Sequence, residues 1–170
     1  MPYLVRDACD ADMPAVHAIY AHYVRHSVAT FEYEVPSLDE LLERRRAVLA
    51  CYLVAVEDER VLGYGYASSF RTRAGYRYTL EDSIYVDPGA QQRGVGTALL
   101  TAIVQICERG PWRQMIAVIG DSANTGSIAL HARAGFTHVG IQRAVGFKHG
   151  RWVDTVEMQR ALGAGDGTLP

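Results

Sequence analysis

The chain has almost no lysine: of its 17 basic side chains only Lys148 is one, and the rest are arginine. It also lacks a surplus of either charge, 17 basic groups standing against 19 acidic ones for a net charge of -2. That balance gives no electrostatic reason to expect nucleic acid or an anionic membrane as a partner. Cysteine is scarce, at Cys9, Cys51 and Cys107. An odd number, without the close spacings that hold zinc or a redox disulfide, implies no metal and a reducing, cytoplasmic setting. No stretch reaches the roughly 18 apolar residues of a membrane span, and residues 1–7 have neither the basic segment nor the apolar run of a signal peptide. A soluble protein is expected. Internal repeats and interior linkers are absent as well.

What is present fits one core. With 170 residues, 49% of them hydrophobic, the chain has material for one well-buried domain and too little for two. That domain is expected over residues 1–162. Residues 163–170, rich in glycine, have little to bury and form a loose tail.

The most informative stretch is an apolar strand, Ser83-Ile-Tyr-Val86, followed by a glycine-rich turn and a long amphipathic segment. In that segment Val95, Ala98, Leu99, Ala102, Ile103 and Ile106 recur at helical spacing until Gly110-Pro111 stops it. The turn is therefore pinned at a helix N-terminus. There the first backbone N–H groups lack partners, and Gly94 and Gly96 leave the backbone bare enough for an anionic group to approach. Leu99 stands where a dinucleotide-binding turn needs its third glycine, and no Gly-Lys-Ser/Thr is present, so Rossmann and Walker readings fail. An ordinary capping turn remains an alternative for the motif alone.

Around this turn, Tyr3 to Arg6 reads as a strand, and Asp10 as the cap of a helix carrying Met13, Val16, Ile19, Tyr20 and Tyr23 on one face. Ser37-Leu-Asp-Glu40 is a capping box opening a second helix through Leu41, Leu42, Val48 and Leu49. Residues 52–56 and 61–70 form a hairpin, and a strand over 78–86 leads into the turn. Beyond the central helix come a strand at 114–119, a helix at about 125–134, and a hairpin from Phe136 that crosses Lys148-His-Gly-Arg151 into residues 152–158. Hairpins at both ends with helices between them argue an α+β or mixed α/β sandwich rather than a regular βαβ wind.

Gln91-x-x-Gly94-x-Gly96, between a strand and a long helix, resembles the acetyl-CoA loop of the GNAT N-acetyltransferases. Asn124-Thr-Gly-Ser-Ile-Ala-Leu-His131, closing at Gly135-Phe136, is similar to another segment of that family, with His131 where a tyrosine is usual. Tyr78-Thr-Leu-Glu81-Asp-Ser-Ile-Tyr85-Val86, Ala117-Val-Ile-Gly120 and Gly146-Phe-Lys-His-Gly-Arg-Trp152-Val-Asp154 resemble the phosphinothricin and methionine sulfoximine acetyltransferase branch. The likeness runs from the first helix to about Gln159.

The resemblance implies a GNAT fold, with a mixed, mainly antiparallel sheet flanked by helices. It implies transfer of acetyl from acetyl-CoA to the α-amine of a small amino acid such as L-phosphinothricin, methionine sulfoximine or methionine sulfone. Pyrophosphate would lie on the amides of Gln92, Arg93, Gly94, Val95, Gly96 and Thr97, the acetyl carbonyl at Ile84, Tyr85 and Val86, and the pantetheine arm at Asn124. Arg71, Thr72 and Arg73 would meet the substrate, Phe31, Tyr76 and Tyr85 would wall it, and Asp82 and Ser83 would stand close by. A homodimer is implied too.

The chemistry can be argued on its own terms. An α-amine must lose a proton before it attacks a thioester, and Glu81, at the edge of the strand leading to the loop, is suited to take it. A plain ion pair of Glu81 with Arg73 or Arg77 is the bland alternative. An imidazole ordinarily titrates near neutral pH, so His131 could protonate a departing thiolate, serve as base, or bind substrate. Asp82 adds negative charge beside Glu81, which suits an amino group better than an acid. A same-class alternative is a GNAT enzyme for another small amine or a protein N-terminus, and an alternative of another class is a non-catalytic acyl-CoA-binding or regulatory module.

Overall fold

The computed structural model describes residues 3–48 and 50–170. Strand β1 (Leu4–Asp7) leads through a single 3-10 turn at Asp10–Asp12 into helices α1 (Met13–His26) and α2 (Leu38–Ala47). Strands β2 (Cys51–Glu57), β3 (Arg60–Ser69) and β4 (Thr79–Val86) follow, then helix α3 (Val95–Cys107) and strand β5 (Gln114–Gly120). Helix α4 (Thr125–Arg133) and strands β6 (Thr137–Lys148) and β7 (Arg151–Ala161) complete the chain.

The seven strands form one sheet in the order β1-β2-β3-β4-β5-β7-β6. Every neighbouring pair is antiparallel except β4 and β5. The two hairpins close on two-residue turns, Asp58-Glu59 and His149-Gly150, all four at positive φ. That handedness matches the twist of the flanking strands, so the turns set the register.

Strand alternation divides the core into two layers. On one face α3 buries Leu99, Leu100 and Ile103 fully against Leu53, Leu62, Leu80 and Met115. On the other, α1 packs Met13, Val16, Tyr20 and Val24 against Val54, Tyr64 and Tyr85. Among the described residues no helix is long and apolar enough to cross a membrane.

Several boundaries differ from those read off the sequence. Asp10 does not cap α1: the 3-10 turn intervenes, Asp10 pairs with Arg45 and Arg46, and Asp12 takes both guanidinium nitrogens of Arg6 at 2.7 and 2.8 Å. The capping box at Ser37 forms, Ser37 N–H reaching Glu40 Oε2 at 2.6 Å and Glu40 N–H reaching Ser37 Oγ at 3.2 Å, but α2 stops before Val48. Leu49 lies outside the described residues. Strand β7 runs to Ala161, three residues past the expected end, because β5 pairs with it through Gln114↔Ala161.

Candidate active site

The parallel pairing of β4 with β5 is short. It runs from Thr79↔Gln114 to Asp82↔Ala117 and stops, although β4 continues to Val86 and β5 to Gly120. β5 stays paired with β7 as far as Gly120↔Thr155, and β4 with β3 as far as Gly63↔Val86, so the two strands diverge like a wedge. A cavity of about 650 Å³ opens in it, lined by the ends of both strands, the glycine turn and α4.

The turn supplies one end of this cavity. Gly94 caps α3 at φ +80°, a conformation that costs a side-chain-bearing residue about 1–2 kcal/mol. The first helical bond runs from Ala98 N–H to the Gly94 carbonyl at 3.0 Å, so the amides of Val95, Gly96 and Thr97 open from the helix end. Gln91, Gln92, Gly94, Val95, Gly96 and Thr97 all line the cavity. The Arg93 side chain turns away to Glu57 Oε1 at 2.6 Å. These orphan amides at a helix N-terminus fit a diphosphate such as that of acetyl-CoA.

Ile84, Tyr85 and Val86 line the wedge. The Val86 carbonyl accepts a 2.7 Å hydrogen bond from Tyr23 Oη, and the Tyr85 ring is buried among Tyr20, Tyr23 and Tyr64 with centroids 5.2 to 5.3 Å away. Asn124 borders the cavity as the cap of α4. Its Oδ1 accepts from Ser127 N–H and its Nδ2 donates to the Gly120 carbonyl, both at 3.2 Å, so the side chain ties β5 to α4.

Glu81 and Asp82 leave β4 on opposite faces. Register puts Glu81, Ser83 and Tyr85 on the α1 face with Ser68, Tyr66 and Tyr64. There burial first, then the charges of Asp82 and Glu157, push the Glu81 carboxyl up to about 7, with Arg71 opposing. A carboxyl so tuned is matched to accept a proton near neutral pH.

Asp82 points the other way, toward α3 and α4, and is 6% exposed. Its Oδ2 lies 3.0 Å from His131 Nε2, while His131 Nδ1 lies 2.8 Å from the Ser127 carbonyl. Desolvation lowers the imidazole's proton affinity, but the Asp82 hydrogen bond and charge, with the Ser127 carbonyl, outweigh it and hold the group above its ordinary value. Asp82 and His131 both line the cavity.

The residues expected around the acceptor lie on separate segments, and Phe31, Arg71, Thr72, Arg73 and Tyr76 do not line the cavity. Arg71, Thr72 and Arg73 stand exposed on the β3–β4 connection, the Arg71 guanidinium 4.7 Å from the Phe70 ring centroid and 5.4 Å from that of Tyr76. Phe31 lies in the α1–α2 connection with its ring against Gly146, where even a Cβ would come within 2.7 Å of it. Lys148, 2% exposed, donates from Nζ to the Thr30 carbonyl at 2.7 Å, and Tyr33 Oη donates to the Phe147 carbonyl. These bonds strap the connection across β6.

Sequence reasoning passed over Tyr66, Ser127 and Leu130 at the site, and treated Tyr23 only as part of the α1 stripe. Tyr66 had a signal: it alternates with Tyr64 on the strand before Glu81. The contact of Tyr23 with Val86 spans elements and left none, whereas Ser127 stands four residues before His131 on one helix, a spacing the sequence displays.

A family model described as an acetyltransferase (GNAT) domain matches residues 5–156. The chain belongs to the GNAT acetyltransferases. It is 53% identical over 169 residues to the phosphinothricin N-acetyltransferase of Alcaligenes faecalis, covering 98% of this chain and 86% of that one. It is 37% identical over 161 residues to the L-methionine sulfoximine/L-methionine sulfone acetyltransferase of Salmonella typhimurium, covering 93% and 94%. A GNAT superfamily phosphinothricin acetyltransferase from Sinorhizobium meliloti, solved in complex with AcCoA, superposes with a TM-score of 0.96 at 45% identity, over 100% of this chain and 94% of that one. The mixed, mainly antiparallel sheet expected of a GNAT fold is the one observed.

Proposed function

We propose that this enzyme acetylates the α-amine of a small amino acid related to phosphinothricin, methionine sulfoximine or methionine sulfone, with acetyl-CoA as donor. The observation that carries the reading is the wedge between β4 and β5, with open helix amides at one end and Glu81 beside its apex. Acetyl-CoA supplies the activated acetyl thioester. The amides of Gln92 to Thr97 bind its diphosphate, the backbone of Ile84, Tyr85 and Val86 orients the acetyl group, and Asn124 borders the pantetheine arm.

Glu81 takes the proton that an amino acid carries on its nitrogen at neutral pH, a contribution of about 10²–10⁴-fold to the rate. Arg71 and Arg73 bind the acceptor's acidic groups, with Thr72, Ser83, Phe31 and Tyr76 around it. His131 serves proton transfer on the cofactor side. The enzyme works in the cytoplasm as a homodimer. The outer strand β6 and its partner β7 expose Val139, Val145, Phe147 and Trp152 at 54%, 54%, 47% and 66%, an apolar strip that a second copy would cover.

CoA release should be measured with L-phosphinothricin, L-methionine sulfoximine, L-methionine sulfone, ordinary amino acids, polyamines and N-terminal peptides. Turnover confined to the first three supports the reading. Preference for peptides or polyamines redirects the acceptor, and acetyl-CoA binding without turnover on any amine refutes the enzymatic reading. Sedimentation tests the dimer, which a monomer at micromolar concentration would exclude.

A further inference from the structure

Two adjacent carboxylates on one strand face opposite ways, Glu81 toward the α1 side and Asp82 toward His131 on α4. Asp82 has been left with a partner but no task. Its Oδ2 meets His131 Nε2 at 3.0 Å, and among the described residues its Oδ1 is buried without any hydrogen bond. The other ring nitrogen, Nδ1, meets the Ser127 carbonyl at 2.8 Å, and a carbonyl can only accept. Nδ1 therefore carries a hydrogen. Nε2 faces a carboxylate oxygen, which when ionised also only accepts, so the ring is enclosed by acceptors on both sides.

We infer that Asp82 is a positioning residue which keeps His131 doubly protonated on the cofactor face of β4, as the proton source for the departing thiolate. The inference rests on the acetyl-transfer reading above. It assigns the two carboxylates different tasks: Glu81 collects protons from the nucleophile on one face, and Asp82 holds one ready for the leaving group on the other.

The proton count closes. An ammonium acceptor loses two protons to become an amide, one to Glu81 before attack and one as the amide forms, and both reach solvent. The bond between the acetyl carbon and sulfur breaks with its electron pair on sulfur, which takes one proton from His131. His131 regains that proton from solvent, so one proton is released per turnover.

The surroundings leave this arrangement to Asp82. On its own helix the ring meets Ser127, and just beyond the helix Phe136 packs against it in a T-shaped arrangement, 5.1 Å between centroids. From β4 the only charged group acting on it is Asp82, and from α3 the neutral Cys107 lies within reach of the Asp82 charge. Among the described residues no other anion acts on the ring, so Asp82→Asn should return His131 to an ordinary or lower proton affinity.

The decisive measurement is the ¹⁵N–¹H side-chain spectrum of the uniformly labelled protein without substrates, titrated across neutral pH beside Asp82→Asn. Expected in the native protein is a His131 ring protonated on both nitrogens through about pH 7, and in the variant a titration at least about one pH unit lower, a tenfold loss of proton affinity. The alkaline limb of the kcat profile should fall with it. A purely structural role would lower Tm and leave both titrations in place. A neutral native ring at pH 7 overturns the proposal, whether or not Asp82→Asn folds. Because the spectrum needs no acceptor, a protonated ring in a protein that acetylates nothing would instead count against the acetyl-transfer reading alone.

Discussion

Replacing Glu81 with glutamine should slow the enzyme and stabilise its fold, and the second effect has a pH signature that follows from burial. In the folded chain the carboxyl is pushed up from 4.5 to about 7, chiefly by desolvation and then by Asp82 and Glu157. The native state therefore holds the Glu81 proton more tightly than the unfolded chain does. Its contribution to stability is fully present below the unfolded value of 4.5 and is lost as pH rises through about 7. Above that window the whole shift is an ionisation cost of about 3 kcal/mol. Glutamine keeps the shape without the charge, so it escapes this loss. At pH 5 the variant should exceed the wild type by about 1 kcal/mol, and at pH 8 by about 3 kcal/mol. Urea unfolding of both proteins at the two pH values reads the difference directly, and the raised His131, present in both, cancels from the comparison. Initial rates should fall about 10²–10⁴-fold in the same variant. A stability gap that does not grow with pH would refute the assignment of Glu81 as a buried, proton-accepting carboxyl.

Gly94→Ala should cost about 1–2 kcal/mol at the positive-φ cap and raise the KM for acetyl-CoA with little change in the KM for the acceptor, checked by thermal unfolding and steady-state kinetics. Arg71→Ala should do the reverse, raising the acceptor KM about tenfold or more through loss of a charged contact, while acetyl-CoA binding followed by calorimetry stays unchanged. Lys148→Met should cost about 1–3 kcal/mol, because the Thr30 carbonyl loses its donor and the connection carrying Phe31 loosens, and chemical denaturation measures it.

Much of the site was legible because its parts are local. The glycine turn, the helical spacing of Val95 to Ile106 and the capping of α4 by Asn124 are each contained in a dozen residues or fewer, and local conformational preference is what a sequence displays. The alternation that puts Glu81 and Asp82 on opposite faces was also written there. The sequence also showed Asp82 as negative charge beside Glu81, which it is, but nothing in the local pattern names its partner 49 residues away.

By itself, then, the sequence determined the order of the elements, the hairpin turns and the residue types at the site. Tertiary structure alone decided where β4 and β5 part, since β5 follows β7 and β4 follows β3 beyond Asp82 and Ala117. It alone brought Phe31 to Gly146, through a lysine 118 positions from the carbonyl it holds. The physical reason is the same in each case. Burial, which raises Glu81 and makes Asp82 hold its histidine, belongs to a position in space and to no stretch of chain.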